Sequence, residues 1–339
     1  MTDVMKGVRI LEVAEHTFVP AASAVLADWG AEVIKVEHAE RGDAMRSLGR
    51  TGVIDLSQGV HVILEHSNRG KKSIGLDLQK PGGLEVFHAL VKTADVFLTN
   101  KLPHTLPKLK LGIEDLRALN PRLIYVRGTA FGPKGPDATR GGYDMTSFWC
   151  RAGSAASCTP AGLPGVIPQP GPAYGDSIGG MTIAGGIAGA LYKRERTGEP
   201  SVVDVSLLGT GTWAMAAGVA LSLQTGQPWA MPTAAASGPG NALVAIYPTA
   251  DGRFISLVML QGHHFWADFC EHLGRPELAS DERFDSPENF TANAAAARDE
   301  IRAAMSERTL AEWTERFATL KGQWAPVQNT IEVAADPQV

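Results

Sequence analysis

One carboxylate in this sequence stands where it can do chemistry. Asp176 lies between a Gly/Pro-rich loop and an apolar segment typical of a helix, within residues 171–180 (GPAYGDSIGG). A helix start offers unpaired backbone amides and the positive end of the helix dipole, so we expect Asp176 to be held in its ionised form. The amides of residues 177–180 are suited to stabilise an oxyanion beside it. Two compatible roles follow for Asp176, helix N-cap and nucleophile.

The segment that follows Asp176 is rich in glycine for a helix. Its five glycines are Gly179, Gly180, Gly185, Gly186 and Gly189. Each glycine in a helix interior costs about 1 kcal/mol relative to alanine. We therefore expect another backbone or a ligand to approach this helix closely.

Composition restricts the class of protein. The 339 residues are enough for two domains, and 44% hydrophobic with 20% charged residues is typical of a globular protein. A net charge of −5 argues against a nucleic-acid partner. Cys150, Cys158 and Cys270 form no metal-binding spacing, so we expect no metal and reduced thiols. No apolar stretch is long enough to span a bilayer, so we expect a cytoplasmic protein without a membrane partner.

Strand and helix patterns alternate through the first part of the chain, which predicts a parallel, Rossmann-like sheet. Ligands of such sheets bind at the carboxyl ends of the strands. The predicted strands are residues 8–13, 32–37, 73–78, 94–99, 123–127 and 201–206. The predicted helices are residues 21–29, 81–92, 113–119 and 144–151, one that begins at Asp176, and one that ends at residue 223.

A change in composition at residues 225–240 predicts a linker into a second region. There, residues 242–247 and 253–258 flank Asp251-Gly252, which indicates a β-hairpin, and helices are predicted at 263–273, 295–306 and 309–320. We therefore divide the chain into a large α/β domain (1–224) and a linker with a smaller α+β domain (225–339). No element is predicted near Val339, which suggests that the natural protein continues.

Several spaced motifs occur in one order along the chain. They are residues 7–12 (GVRILE), 26–37 (LADWGAEVIKVE), 42–43 (GD), 68–78 (NRGKKSIGLDL), 94–96 (ADV), 174–177 (YGDS) and 247–253 (YPTADGR). Together they closely resemble the class III CoA-transferases (the CaiB/BaiF type), the family of formyl-CoA and carnitine CoA-transferases that also includes α-methylacyl-CoA racemase. The resemblance extends over nearly the whole chain.

The resemblance implies a fold and an assembly. Family members have a Rossmann-like large domain and a small domain joined by long linkers, so that each chain is an open ring. Two rings interlock as a homodimer. A C-terminal segment that returns to the large domain in the family is apparently absent here.

The resemblance also implies a reaction, the transfer of CoA from an acyl-CoA thioester to a free carboxylic acid. In it, Asp176 is the nucleophile and passes through acyl-aspartyl and aspartyl-CoA intermediates. Residues 237–240 (SGPG) stand roughly where the family has a mobile glycine loop, although a plain linker explains them as well.

The family binds CoA through its large domain, and the corresponding positions here are eleven residues: His16, Thr17, Phe18, His38, Leu76, Asp77, Gln79, Asn100, Lys101, Lys108 and Arg140. The CoA phosphates require cations. Besides Lys101, Lys108 and Arg140, the candidates are Arg69, Lys71 and Lys72.

Two other functions are open. The racemases of the family carry a histidine in a Gly-His-Asp stretch, where this sequence has Gly142-Tyr143-Asp144. Tyrosine, whose ordinary pKa is about 10, is a poor general base at neutral pH, which favours the transferase. His16 is a possible substitute base, and Asp144 also fits a helix N-cap. The second alternative is a non-catalytic CoA-binding protein, against which the motif around Asp176 argues.

Four large side chains have two interpretations. Phe148, Trp149, Trp213 and Met215 either line an acyl pocket or belong to the core, and their helical spacing favours the core.

Overall fold

The computed structural model describes residues 3–51, 59–160, 162–230 and 240–339. Contacts within the chain divide it into two compact units, Met1–Ala230 and Met231–Val339, and each has its own β-sheet. Residues 231–239, which include most of the 237–240 loop considered above, lie outside the described residues. None of the described helices is both long and apolar enough to cross a membrane.

The sheet of the first unit has six parallel strands in the spatial order β3-β2-β1-β4-β5-β6. In chain order they are β1 (Arg9–Val13), β2 (Glu32–Glu37), β3 (Lys72–Gly75), β4 (Val96–Thr99), β5 (Ile124–Thr129) and β6 (Val202–Ser206). The predicted doubly wound parallel sheet is confirmed. Strand order reverses between β1 and β4, and the loops after these strands open the crevice in which such folds bind ligands.

Eight α-helices belong to the described part of this unit: α1 (Phe18–Asp28), α2 (Val62–Asn68), α3 (Pro81–Val91), α4 (Ile113–Leu119), α5 (Ser154–Cys158), α6 (Tyr174–Thr197), α7 (Leu207–Ala214) and α8 (Ala216–Thr225). A 3₁₀ segment at Ala44–Thr51 and a π-helical segment at Met145–Arg151 complete it. Helices α2 and α5 were not predicted. The single helix predicted to end at residue 223 is two helices, interrupted at Met215.

Helix α6 packs closely on α1, and its glycines permit this approach. A Cβ added at Gly180 would lie 2.7 Å from the Cβ of Ala21, and one at Gly179 would overlap the ring of Phe18. A Cβ added at Gly186 would likewise lie 2.8 Å from Cγ1 of Val203 in β6. The predicted close approach is confirmed for these three glycines. Within the described residues, Gly185 and Gly189 have no such neighbour.

The core of the first unit lies on both faces of the sheet. One cluster joins α1 and α6 to the sheet, and the other joins α3 and α4 to its opposite face. Phe148 and Trp149 are buried in the first cluster, which confirms the core interpretation for both. Trp213 is 82% exposed and belongs to neither cluster.

The second unit has an antiparallel sheet of β7 (Val244–Pro248), β8 (Phe254–Val258) and β9 (Trp324–Pro326). Its helices are α9 (Gly262–Leu273), α10 (Pro287–Ala292), α11 (Ala294–Met305), α12 (Leu310–Arg316) and α13 (Thr330–Ala335). The predicted hairpin is confirmed. The expectation that no element lies near Val339 is wrong, because Asn329 and Glu332 form a capping box that starts α13.

Candidate active site

Asp176 is the third residue of α6, not its N-cap. The helix begins at Tyr174 after Ala173, which has a left-handed φ of 57° and no capping side-chain bond. The amide of Ser177 donates to the carbonyl of Ala173 at 2.9 Å and so belongs to the helical ladder. The predictions of an Asp176 cap and of oxyanion donors at residues 177–180 are therefore wrong. The amides left without a helical acceptor are those of the first turn, at Tyr174, Gly175 and Asp176.

The carboxyl group of Asp176 is held in its protonated form. Burial raises the pKa of Asp176 to about 8, and the nearby carboxylate of Asp144 acts in the same direction. The helix dipole opposes this by about 2 kcal/mol at most, which is less than two pKa units. The expectation that the dipole keeps Asp176 ionised in the free protein is therefore wrong. A carboxylate with so little hydration is a stronger nucleophile once it has lost its proton.

Asp144 is a buried carboxylate beside Asp176. Its Oδ1 accepts from the amide of Met145 at 2.8 Å, at the start of the π-helical segment, which confirms the predicted N-cap. Its Oδ2 accepts from Nε2 of Gln169 at 2.9 Å. Both of its oxygens thus accept hydrogen bonds.

A large cavity of about 860 Å³ opens on one side of Asp176, and we call it the acyl cavity. Its walls come from the loop after β1, the 3₁₀ segment, α2, the π-helical segment and the loop before α6. The lining residues are mainly apolar: His16, Thr17, Ala44, Met45, Ser47, Leu48, Thr51, Ile63, Tyr143, Asp144, Met145, Gln169, Gly171, Pro172, Ala173 and Asp176. Its size and character are those of a site for a small organic group.

A second and narrower cavity, of about 90 Å³, also reaches Asp176. His16 and Tyr143 line both cavities. Phe18, Asn100 and Lys101 line the narrow cavity but not the acyl cavity. Asp176 thus stands where the acyl cavity and the narrow cavity meet. A thioester whose acyl group fills the first and whose thiol arm fills the second would place its carbonyl at Asp176.

The loop after β1 is held by hydrogen bonds between its backbone and the side chain of Asn100. Asn100 donates from Nδ2 to the carbonyl of Glu15 at 2.7 Å and accepts from the amide of Glu15 at 3.1 Å. The next residue, His16, has a left-handed φ of 65°, and its ring contacts the ring of Tyr143 edge to face at 5.5 Å. The amide group of Asn100 therefore positions this loop in the ligand-free chain.

Five of the predicted CoA-binding residues meet in one cleft at the carboxyl ends of β1 to β4, which we call the nucleotide cleft. They are His38, Leu76, Asp77, Gln79 and Lys101. The amide of Gln79 donates to Oδ1 of Asp77 at 3.0 Å and lowers the pKa of Asp77. An ionised carboxylate repels phosphate and suits a hydroxyl or amino group, whereas Lys101 suits a phosphate.

The other predicted residues lie elsewhere. Thr17 lines the acyl cavity, Phe18 lines the narrow cavity, and Arg140 lines a groove next to Lys101 and Tyr143. Lys108 is exposed and is not among the residues that line the nucleotide cleft.

Three of the candidate phosphate-binding cations lie before or at the start of β3, at the amino edge of the sheet. Lys71 is only 2% exposed, and its Nζ lies 2.7 Å from Oε2 of Glu12, so its prediction as a phosphate ligand is wrong. Arg69 pairs with Asp28, and Lys72 with Glu32.

Lys71 instead belongs to a buried ionic network under the site. Glu12 also pairs with Lys35 at 2.7 Å, and Lys35 reaches Asp43 at 2.8 Å. Burial alone would raise the pKa of Glu12, but the ammonium groups of Lys71 and Lys35 lower it to about 2. Burial lowers the pKa of Lys71 to about 8.

Two residues of the site were missed in the sequence. Arg41 lines the nucleotide cleft, and its position four residues after β2 was the available signal. Gln169 lines the acyl cavity from within the Gly/Pro-rich loop before Asp176, where a long polar side chain is unusual. In the described ranges, no three His, Cys, Asp or Glu side chains are grouped to hold a metal ion.

Comparison with known proteins identifies the family. The sequence model of CoA-transferase family III matches residues 5–339. A cinnamoyl-CoA:phenyllactate CoA-transferase of Clostridium sporogenes is 31% identical over 99% of this chain and 81% of its own length. A succinate–glutarate CoA-transferase of Agrobacterium fabrum is 33% identical over 99% of this chain and 82% of its own length.

A solved structure has the same fold. The crystal structure of a CaiB/BaiF family protein from Brucella suis superposes with a TM-score of 0.82 and 30% identity, covering 100% of this chain and 87% of that one. With a family match along almost the entire sequence, and relatives that are named CoA-transferases, the chain belongs to CoA-transferase family III and is an enzyme of that class.

Proposed function

We propose that this enzyme moves CoA from an acyl-CoA thioester to a free carboxylic acid through covalent intermediates on Asp176. The observation that carries the proposal is the place of Asp176, where the acyl cavity meets the narrow cavity at the head of α6. A poorly hydrated carboxyl group with a pKa of about 8 is typical of a reacting group and not of a surface cap.

The reaction divides into exchanges at carbonyl carbons. The carboxylate of Asp176 attacks the thioester carbonyl, the C–S bond breaks, and CoA leaves as a thiolate. The thiolate attacks the aspartyl carbonyl of the mixed anhydride, which releases the donor acid and leaves aspartyl-CoA. The acceptor carboxylate then displaces the thiolate, and the thiolate attacks the acceptor carbonyl, which regenerates Asp176.

Each attack forms an oxyanion that needs hydrogen-bond donors. The amides of the first turn of α6 have no acceptor in the helix and lie beside Asp176, so we assign the oxyanion-stabilising role to them. The helix dipole adds positive potential at the same place.

We assign the nucleotide half of CoA to the nucleotide cleft. Lys101 lines this cleft as well as the narrow cavity, so a CoA molecule can pass from one to the other along this side chain. Arg41 supplies a further positive group in this cleft.

Trapping the covalent intermediate tests the mechanism. With an acyl-CoA donor and hydroxylamine, the wild-type enzyme should form a hydroxamate at Asp176, which peptide mass spectrometry locates. Asp176→Asn keeps the size of the side chain, but transfer should fall by several orders of magnitude, since an amide is a very weak nucleophile. Asp137→Asn, which changes a carboxylate paired with Arg151, is the matched control and should form the hydroxamate normally. Near-normal transfer by Asp176→Asn would refute the mechanism.

We also propose a homodimer, as family membership implies. Trp213 at the end of α7 and Leu223 in α8 are 82% and 81% exposed in the single chain. Sedimentation at micromolar concentration should give roughly twice the chain mass of 35.9 kDa. A stable folded monomer would contradict the interlocked assembly.

Racemisation of an acyl-CoA is the second candidate, because His16 lines both cavities at Asp176 and is a possible second base. Tyr143 occupies the position of the usual histidine, which favours transfer.

A further inference from the structure

Two polar atoms in the wall of the acyl cavity lack a hydrogen-bond partner within the described chain. They are Oγ1 of Thr17 and Oε1 of Gln169. Thr17 is only 1% exposed, so its hydroxyl is shielded from bulk water. Buried polar atoms are nearly always paired in native proteins, and an unpaired one at a binding site is a natural partner for a ligand group.

Within the residues that the structure describes, the fold does not use the hydroxyl of Thr17. Threonine at an N-cap usually accepts a bond from a helix amide. Thr17 occupies the N-cap position of α1, but its side chain makes no capping bond. Its methyl group and backbone belong to the helix start, while its hydroxyl remains free to donate and to accept.

The orientation of the Gln169 amide is set by its neighbour. Nε2 donates to the Asp144 carboxylate at 2.9 Å, so the atom that remains is the oxygen, which only accepts. A hydroxyl group on a bound acid matches both residues, since it can accept from Thr17 and donate to Gln169. A saturated hydrocarbon chain satisfies neither.

The charges of the cavity restrict the acid further. In the part of the chain that the structure describes, its lining includes the carboxyl groups of Asp144 and Asp176 but no lysine or arginine. A second carboxylate on the bound acid would be buried without a counter-ion and close to two acidic groups, which is unfavourable. The remaining walls, such as Met45, Leu48 and Ile63, suit an apolar chain.

We propose that the acid handled in the acyl cavity is a monocarboxylic acid with a mainly apolar chain and a hydroxyl group, and that Thr17 and Gln169 recognise this hydroxyl. The inference rests on the proposed function, because it assigns the substrate of the same Asp176 site. Thr17 is adjacent to His16, which lines both cavities together with Asp176, so we place the hydroxyl on C2 or C3 of the acid.

Acceptor acids of equal length test the proposal. With acetyl-CoA or butyryl-CoA as donor, the wild-type enzyme is assayed with hexanoate, 2-hydroxyhexanoate, 3-hydroxyhexanoate and adipate. We expect kcat/KM for one hydroxy acid to exceed that for hexanoate by about tenfold or more, with adipate the poorest acceptor. Adipate or hexanoate as the best acceptor would overturn this inference and leave the transferase mechanism in place. Absence of transfer to every acid, together with no hydroxamate at Asp176, would overturn both.

A pair of variants tests the residue. Thr17→Val keeps the branched shape and removes the hydroxyl, and Thr17→Ser keeps the hydroxyl. The ratio of kcat/KM for the hydroxy acid to that for hexanoate should fall to about one in Thr17→Val and stay high in Thr17→Ser. This ratio does not depend on the fraction of folded enzyme, so partial misfolding leaves the result interpretable. A high ratio in Thr17→Val would refute the role of Thr17.

Discussion

The backbone amide of His16 donates a hydrogen bond of 3.0 Å to Oδ1 of Asp43, which joins the loop after β1 to the loop after β2. Asp43 is held in turn by Lys35 at 2.8 Å, and Lys35 also donates to the carbonyl of Ala14 at 3.0 Å. Asp43 and Lys35 thus help to hold the loop in which His16 has its left-handed conformation. The loop that lines the acyl cavity and the buried ionic network are therefore connected by hydrogen bonds.

Removal of the central carboxylate should destabilise the fold. Glu12→Gln leaves Lys35 and Lys71 buried with one negative charge fewer, and loss of one partner from such a network costs about 3–5 kcal/mol. Urea denaturation measures the free energy of unfolding. The control, Glu32→Gln, breaks the more exposed pairs with Arg9 and Lys72 and should cost about 1 kcal/mol or less. Equal losses in the two variants would contradict the structural role of the network.

The pH profile should report the ionisation of Asp176. Only the carboxylate attacks, and burial raises its pKa to about 8, so kcat/KM should increase as the pH rises to about 8 and then level off. Asp144→Asn removes a like charge and should move the midpoint to lower pH, whereas Asp137→Asn should not. An acyl-transfer assay between pH 5.5 and 9.5 measures this dependence of kcat/KM on pH. A flat profile would contradict the raised pKa of Asp176.

Stability should depend on pH through the same group. The pKa of Asp176 is higher in the folded than in the unfolded state, so the folded protein binds the extra proton between about pH 4 and pH 8. This contribution is complete below the unfolded pKa and is lost as the pH rises through 8. Asp176→Asn has no proton to lose at this position. The melting temperature of this variant minus that of the wild type should therefore increase from pH 5 to pH 9. A constant difference would show that Asp176 is not desolvated.

CoA binding should weaken with salt and depend on the nucleotide cleft. Lys101→Ala should raise the dissociation constant of CoA several-fold, because an ammonium group next to phosphate is lost. Lys72→Ala, at the amino edge of the sheet, is the matched control and should bind CoA normally. Calorimetry at low and high salt compares them. Unchanged affinity in Lys101→Ala would show that the nucleotide lies elsewhere.

The enzyme should not exchange the α-proton of its substrate. By its resemblance to the racemases, the chain carries Tyr143 where they carry a histidine, so a 2-methylacyl-CoA incubated with the enzyme in deuterated water should keep its mass. Deuterium incorporation at the rate of turnover would instead favour the racemase function, and loss of that incorporation in His16→Gln would identify the second base.

The sequence was most informative where one local pattern decides the structure. Alternating strands and helices predicted the parallel sheet, and the glycines of α6 predicted a close approach, which Gly179 and Gly180 make with α1 and Gly186 makes with β6. The prediction failed for Lys71 and for the ionisation of Asp176. Both depend on residues distant in the chain, because Lys71 is buried against Glu12, and the pKa of Asp176 is raised by burial and also by the charge of Asp144. The strand β9 was missed for a related reason, since its three residues gain strand character only by pairing with β8.

Three non-glycine residues of the described chain have a positive φ, and two of them, His16 and Ala173, line the acyl cavity together with Asp176. Such backbone strain costs on the order of 1–3 kcal/mol per residue and persists only where the surroundings enforce it. Ala173→Gly would relax one of these positions. Selection of this enzyme for heat resistance should therefore meet a trade-off here, because the changes that relax these two loops also loosen the backbone around Asp176.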